Sequence, residues 1–294
     1  MYYNNSTADF DKEKSFDNVY DLNISQFGIA APISRGGGSS GLVSLNFGYS
    51  LSITNNFAGN AIIKGQLGNS SMVDYFMDYA QGIDYTELTG QEGMLFDTWM
   101  IDTLNNSTNS YASAFSNYGA DANSTYGQDF RRIISSEGTN KEHSLSLAAN
   151  FSDKIYLGFT LGISSVFSIY EYDHLETDSE DNIYPFNQFQ YKEYVETNGR
   201  GYSLKLGAII RPLEALRLGF AVHSPTVYRL NEYYKYYLSG SKDDGFFDEF
   251  ESEDFSFSYT LVTPLRVTTG ASLQLGKKGI VSADYEFVDY KMAR

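Results

Sequence analysis

The chain has 294 residues, with 25 Tyr, 21 Phe, 26 Gly, 5 Pro, no Cys and a formal charge of −16. Lack of Cys excludes disulfides, thiolate catalysis and Cys-ligated zinc or iron–sulfur centres, and so acidic a surface repels phosphate backbones, which excludes nucleic acid as a partner. No apolar run approaches the roughly 18 residues of a membrane helix, so any membrane crossing is made by strands, whose spans read as half polar.

Residues 1–19 show no period and read as loop or frayed strand. A first strand is predicted over about 20–31, closed by Pro32 and the loop 35–41. The second is clearer: Val43, Leu45, Phe47, Tyr49, Leu51 and Ile53 alternate with small or polar residues, the period of a strand with one apolar face. Thr54-Asn55-Asn56 reads as a tight turn, because Asn tolerates positive φ, and a third strand follows to about Leu67. Residues 68–142 break the pattern. Met72, Val73, Phe76 and Met77 stand at helical spacing, Met94, Leu95, Trp99 and Met100 suggest a second short helix, and 105–127 read as irregular loop.

Strands return at Leu145–Phe151 and, past the turn 152–154, at Ile155–Ile163. Residues 171–199 read as an acidic loop. The hairpin 201–226 follows, with Leu204, Leu206, Leu218 and Phe220 on its apolar face and Lys205, Arg217 and His223 opposite, turning at 212–215. A second acidic loop carries seven carboxylates between Asp243 and Asp254. Two further strands, Leu265–Leu275 and a last one to about Tyr290, are joined by Gly276-Lys277-Lys278-Gly279. Tight turns at 54–56, 152–154, 212–215 and 276–279 thus alternate with long connections at 32–41, 68–142, 171–199 and 225–254, the segregation expected of outer-membrane barrels.

The stretches 216–230 (LRLGFAVHSPTVYRL), 263–290 (TPLRVTTGASLQLGKKGIVSADYEFVDY) and 154–167 (KIYLGFTLGISSVF) resemble the FadL-type family of outer-membrane transporters for long-chain fatty acids and aromatic hydrocarbons. The SPT-x-Y corner and the TPLR…DYE-x-VDY segment are its most specific parts. The resemblance covers about residues 20–290 and implies a fourteen-stranded barrel with an N-terminal hatch. About nine strands are counted, an odd number, and neither a hatch signature nor a signal peptide is present, so the sequence reads as a fragment of such a transporter.

The expected fold is therefore all-β: a transmembrane antiparallel up-and-down β-barrel, about nine strands of a larger one, forming a single partial domain over 1–294. Its 68–142 insertion is a helix-containing extracellular loop. The expected function is passive uptake of hydrophobic compounds, fatty acids foremost, by a monomer in the bacterial outer membrane, with lipid and lipopolysaccharide as surroundings. The resemblance places first capture in a loop groove, for which Met72, Val73, Phe76, Met77, Met94, Leu95, Trp99 and Met100 are the candidates; Met suits promiscuous apolar contact. Lys205, Arg211, Arg217, His223 and Arg266 are candidate lumen-facing cations, able to meet a carboxylate or to pair across the lumen. The bland alternative for the groove is packing of the loop onto the barrel rim.

No catalytic residue, cofactor or metal site is expected. The three histidines lie far apart, and no His-x-x-x-His or Gly-x-Ser-x-Gly pattern occurs. The competing functions are a non-transport barrel, adhesin or structural porin, and a soluble all-β ligand-binding domain.

Overall fold

The computed structural model describes residues 2–10, 13–21, 24–34, 40–104, 107–115 and 125–294. It is an all-β chain built on one large antiparallel sheet. In chain order the strands are β1 (Tyr2–Phe10), β2 (Glu13–Asp21), β3 (Gln26–Ser34), β4 (Leu42–Asn56) and β5 (Gly59–Gln66). An insertion holding helix α1 (Met72–Ala80), helix α2 (Gly90–Asp97), β6 (Ile101–Thr103) and β7 (Tyr111–Ser113) follows. Then come β8 (Asp129–Phe151), β9 (Ile155–Thr177), β10 (Phe186–Ile210), β11 (Leu216–His223), β12 (Val227–Lys242), β13 (Phe247–Glu251), β14 (Phe255–Val262), β15 (Leu265–Gln274) and β16 (Ile280–Asp289).

Several of these strands are segments of longer staves. β4 and β5 both run along β8, one after the other, at nearly constant register. β11 and β12 likewise share one edge of β10, and β13, β14 and β15 run down beside them. The described sheet is an up-and-down meander of eight such staves with β3 and β16 at its edges. β3 and β16 do not pair with each other, so the described sheet is open, with eight staves where about nine strands of a larger barrel were expected.

Three expectations about connections are corrected. Residues 54–56 make no hairpin turn, because Asn55 and Asn56 still pair with β8 and the chain continues upward into β5. The supposed acidic loop 171–199 is strand on both sides of a short turn, since β9 runs to Thr177 and β10 starts at Phe186. The supposed long connection 225–254 is mostly β12 and β13. In addition, Gly41 lies at the same end as the 152–154 turn, where the Ser152 amide donates to the Gly41 carbonyl at 2.9 Å; residues 35–39 of the expected loop lie outside the described residues. Residues 2–10 and 13–19, expected as loop or frayed strand, belong to the antiparallel pair β1–β2, and the first strand expected over about 20–31 lies at Gln26–Ser34.

The underlying reason is an inversion of phase. β8, β9 and β10 are 23, 23 and 25 residues long, roughly 80 Å at about 3.4 Å per residue. In the lower half of β9 the apolar residues are odd: Ile155, Leu157, Phe159, Leu161 and Ile163. In its upper half the side chains with packing partners are even: Tyr172, His174 and Glu176. The same switch occurs in β10, from Phe189 and Tyr191 above to Leu204 and Leu206 below. Since alternate residues face opposite sides of a sheet, the apolar face passes from one side to the other halfway along each stave. A pattern search for one continuous alternation stops at that point, whereas the backbone ladder does not.

On the lower half, matched rows run across the staves. Phe47, Leu147, Phe159, Leu206, Val222, Val267 and Phe287 form one row, each residue opposite the next. Most of these side chains are exposed. This side is called the outer face below, and the opposite side the inner face.

Candidate functional site

The upper inner face is where the insertion docks. Ser71 caps α1, with its hydroxyl accepting from the Val73 amide at 3.0 Å and the Asp74 carboxylate accepting from the Ser71 amide at 3.1 Å, a reciprocal capping box. A carboxylate from the sheet completes this end. Glu176 of β9 accepts from the Ser71 hydroxyl at 2.6 Å and the Met72 amide at 2.7 Å, a favourable place for a negative charge at a helix start. Gln128 Nε2 donates to the same carboxylate at 2.9 Å, and His174 Nε2 lies 2.8 Å from it.

Glu176, His174 and Gln128 are buried. Burial is the largest influence on Glu176 and would raise its carboxyl. The bond and charge of His174, the Ser71 hydroxyl and the Met72 amide together outweigh it and hold the group below its ordinary range. On the neighbouring Asp74 burial wins, and that carboxyl is raised.

The apolar residues of the insertion close over the same face. Val73, Phe76, Met94, Leu95 and Met100 are buried in one cluster with Phe189, Tyr191 and Leu238 of the sheet, and Met72 and Met77 pack against it half-buried. Trp99 alone of the eight candidate groove residues is exposed, and its ring carries Lys242 Nζ at 5.6 Å from the centroid. Seven of the eight are thus brought together, by packing on the sheet rather than around an open groove.

Aromatic rings continue the contact along the sheet. Phe76 meets Tyr191 at 5.1 Å, and Tyr191 meets Tyr172 and Tyr236, each at 6.2 Å. The loops expected at 171–199 and 225–254 leave no place for this contribution of β9, β10 and β12. The signal that marks it is the run Tyr170, Tyr172 and His174 at every second position.

Trp99 also has φ of 57°. The Met100 amide donates to Leu95 O and the Trp99 amide to Phe96 O, both at 3.0 Å. This double bond pattern ends a helix with a left-handed residue, ordinarily Gly. Trp in that role is backbone strain held at an exposed aromatic side chain.

The lower inner face carries the candidate cations. Lys205, His223 and Arg266 stand directly opposite one another on β10, β11 and β15. Lys205 Nζ reaches Glu142 Oε1 at 2.5 Å, and Ser144 Oγ donates to the same oxygen at 2.8 Å. Arg217 lies further down β11, opposite Ser272. Arg211 is a correction: it sits in the turn after β10, its guanidinium donating to the Glu214 carbonyl at 3.3 Å, so it belongs to the end of the sheet and not to the wall.

Below the cation row the inner face has a concavity of about 530 Å³, floored by Gly158, Gly207, Gly219 and Gly270 and walled by Tyr156 and Ile209. Gly158 pairs with Gly207, and Gly219 with Gly270, so bare backbone makes the floor. Asp284 reaches over it, since a Cβ on Gly270 would collide with its carboxylate. Among the described residues no group of three metal-ligating side chains is assembled.

Compared with protein-family models, with curated proteins and with solved structures, the chain matches none.

Proposed function

We propose that this chain forms part of the wall of an outer-membrane channel through which hydrophobic compounds, long-chain fatty acids among them, cross by diffusion. The observation that carries this reading is the outer face of the lower sheet. Its apolar residues are mostly exposed, aligned row by row, and bounded: on β10 they occupy Tyr202 to Ile210, and on β9 Ile155 to Ile163, nine residues each. A tilted strand crosses a bilayer core in about 9–11 residues, and water is a costly neighbour for so continuous an apolar patch. Small and polar residues behind that band, with the glycine-floored concavity among them, suit a lumen. The capture step is assigned to that concavity and to Trp99, because the other candidate groove residues are half-buried or buried.

The test refolds the whole chain with phospholipid vesicles. Resistance to alkaline extraction and a heat-modifiable gel shift are expected, and Leu206→Arg with Phe220→Arg, in the middle of the band, should abolish both. Depth-dependent penalties of about 2–4 kcal/mol per charge at a bilayer midplane set the scale. A double variant that inserts normally would end the membrane reading. A second reading, an outer-membrane barrel without transport, is favoured by the dense packing of the insertion. Failure of the inserted chain to bind a labelled fatty acid selects it.

A further inference from the structure

Directly above the apolar band the outer face changes character within one step. The last row of the band, apolar apart from His143, reads Leu51, His143, Ile163, Tyr202, Val227 and Val262 across neighbouring strands. The next row on the same face reads Ile53, Lys141, Ser165, Arg200, Arg229 and Thr260. Lys141, Arg200 and Arg229 are all exposed. They fall on β8, β10 and β12, with β9 between the first two, and so within about 15 Å at the ordinary strand spacing.

Arg200 and Arg229 are direct cross-strand partners, an arrangement that is destabilising for like charges without a counter-charge. The row holds no carboxylate. The nearest ones on this face of the same strands, Glu137 and Glu196, are anchored four residues further up, about 13 Å along the backbone, and the Glu196 carboxylate is engaged there by Asn198 Nδ2 at 3.2 Å. In a chain of charge −16, a carboxylate-free row of three cations at the rim of an apolar band is a local reversal of sign.

The row above adds neutral polar groups and one ring: Phe167, Asn198, Asn231 and Ser258. The Ser258 hydroxyl donates to Asn231 Oδ1 at 2.6 Å. Cations at the apolar boundary, then amides, a hydroxyl and an exposed aromatic ring, match a headgroup that has anionic phosphates near its acyl chains and sugar hydroxyls beyond them.

We propose that Lys141, Arg200 and Arg229 bind the phosphates of a phosphorylated glycolipid whose acyl chains lie along the apolar band. The assignment rests on the membrane reading above. It adds to it a specific lipid on the side of the insertion, held by charge and not by apolar contact alone. Each basic side chain near an anionic lipid surface contributes about fivefold in affinity, so the row supplies roughly a hundredfold.

The experiment uses the whole chain in detergent micelles, with bound lipid counted by native mass spectrometry. The probes are an acylated glucosamine disaccharide with two phosphates, the same lipid dephosphorylated, phosphatidylglycerol, and soluble glucosamine 1-phosphate. Preferential retention of the phosphorylated glycolipid is expected. Lys141→Gln with Arg200→Gln and Arg229→Gln should weaken it about a hundredfold, while Arg200→Lys with Arg229→Lys should stay within about fivefold.

Equal retention of the dephosphorylated lipid overturns the proposal, as does an unchanged triple variant. Equal binding of phosphatidylglycerol overturns the glycolipid assignment, and equal binding of soluble glucosamine 1-phosphate overturns the lipid one. Should the triple variant not fold, the single Arg229→Gln and the Lys pair decide by the same comparison. A wild-type chain that fails to insert into vesicles removes both this proposal and the membrane reading. One that inserts without the lipid preference removes this proposal only.

Discussion

The Ser71 hydroxyl donates to the Glu176 carboxylate at 2.6 Å, tying the start of α1 to a strand 105 residues away. The bond fixes where a helical insertion sits on a sheet that offers it mostly flat aromatic surface. Apolar packing alone is non-directional. A buried carboxylate that must meet the Ser71 hydroxyl, the Met72 amide and Gln128 selects one position.

Glu176→Gln replaces one accepting oxygen with a donating amide facing those three donors. Breaking a buried charged network by changing one partner costs about 3–5 kcal/mol. Hydrogen exchange across residues 67–128 should therefore accelerate strongly, while the β9–β10 ladder stays protected. Uniform acceleration of both would mean that the insertion and the sheet unfold as one unit.

The same group sets an acid response. Its folded carboxyl is held below the ordinary glutamate range, so its contribution to stability is fully present above that range. It is lost as pH falls through the lower folded value. Asp74, raised by burial, acts in the opposite sense, because its neutral form is favoured by folding. Proteolysis of the insertion, followed from about pH 7 to about pH 2, should show release of the insertion on acidification in the wild type. In Glu176→Gln that acid step should be missing; its persistence would assign the step to another group.

Legibility in the sequence follows the phase of the staves. The lower halves were readable, because Leu147, Phe159, Leu206 and Phe220 alternate with small residues and face nothing within the chain. The helix pattern of Met72, Val73 and Phe76 was readable for the same local reason, whereas the Ser71–Asp74 capping box emerges only from the structure. The upper halves were not, since there the apolar partner of the sheet is an insertion from elsewhere in the chain. Acidic residues on the opposite side, Glu171 and Asp173 among them, mimic a loop. The continuation of β4 into β5 was hidden by Asn55-Asn56, whose turn preference is overridden by pairing with β8. The cation Lys205 was readable as an inner-face residue, but its partner Glu142 lies 63 residues away and no local spacing announces it.

Trp99 offers a measure of strain. At φ of 57° a side chain other than Gly costs roughly 1–2 kcal/mol, so Trp99→Ala should lose both the ring contact with Lys242 and pay the same backbone cost. Trp99→Gly loses the ring but relieves the backbone. Thermal unfolding should place the Gly variant above the Ala variant by about 1 kcal/mol. If the two variants are equal in stability, the helix end rearranges and the left-handed residue is not required.

Gly240 tests the fit of the insertion on the sheet. A Cβ there would lie 2.7–2.9 Å from three side-chain atoms of Met100, which is itself fully buried. Gly240→Val should cost about 1–3 kcal/mol by overpacking. Met100→Ala made in the same chain should return part of that loss, because it vacates the volume the new methyls need. Additive losses in the double variant would show that the two positions do not share a contact.

Lys205 separates a structural ion pair from a ligand contact. Its ammonium lies 2.5 Å from Glu142, whose side chain is 12% exposed against 31% for Lys205. Lys205→Met leaves a nearly buried carboxylate with the Ser144 hydroxyl as its remaining side-chain partner. That should cost about 2 kcal/mol, less than for a fully buried pair because the lysine is partly solvated. Glu142→Gln combined with Lys205→Met should recover most of it, since no unpaired charge then remains. Stability that recovers while affinity for a labelled fatty acid stays unchanged assigns the pair to the wall alone. Stability that recovers while affinity falls severalfold assigns Lys205 to the ligand as well, with Arg266 and His223 in the same row as the next positions to change.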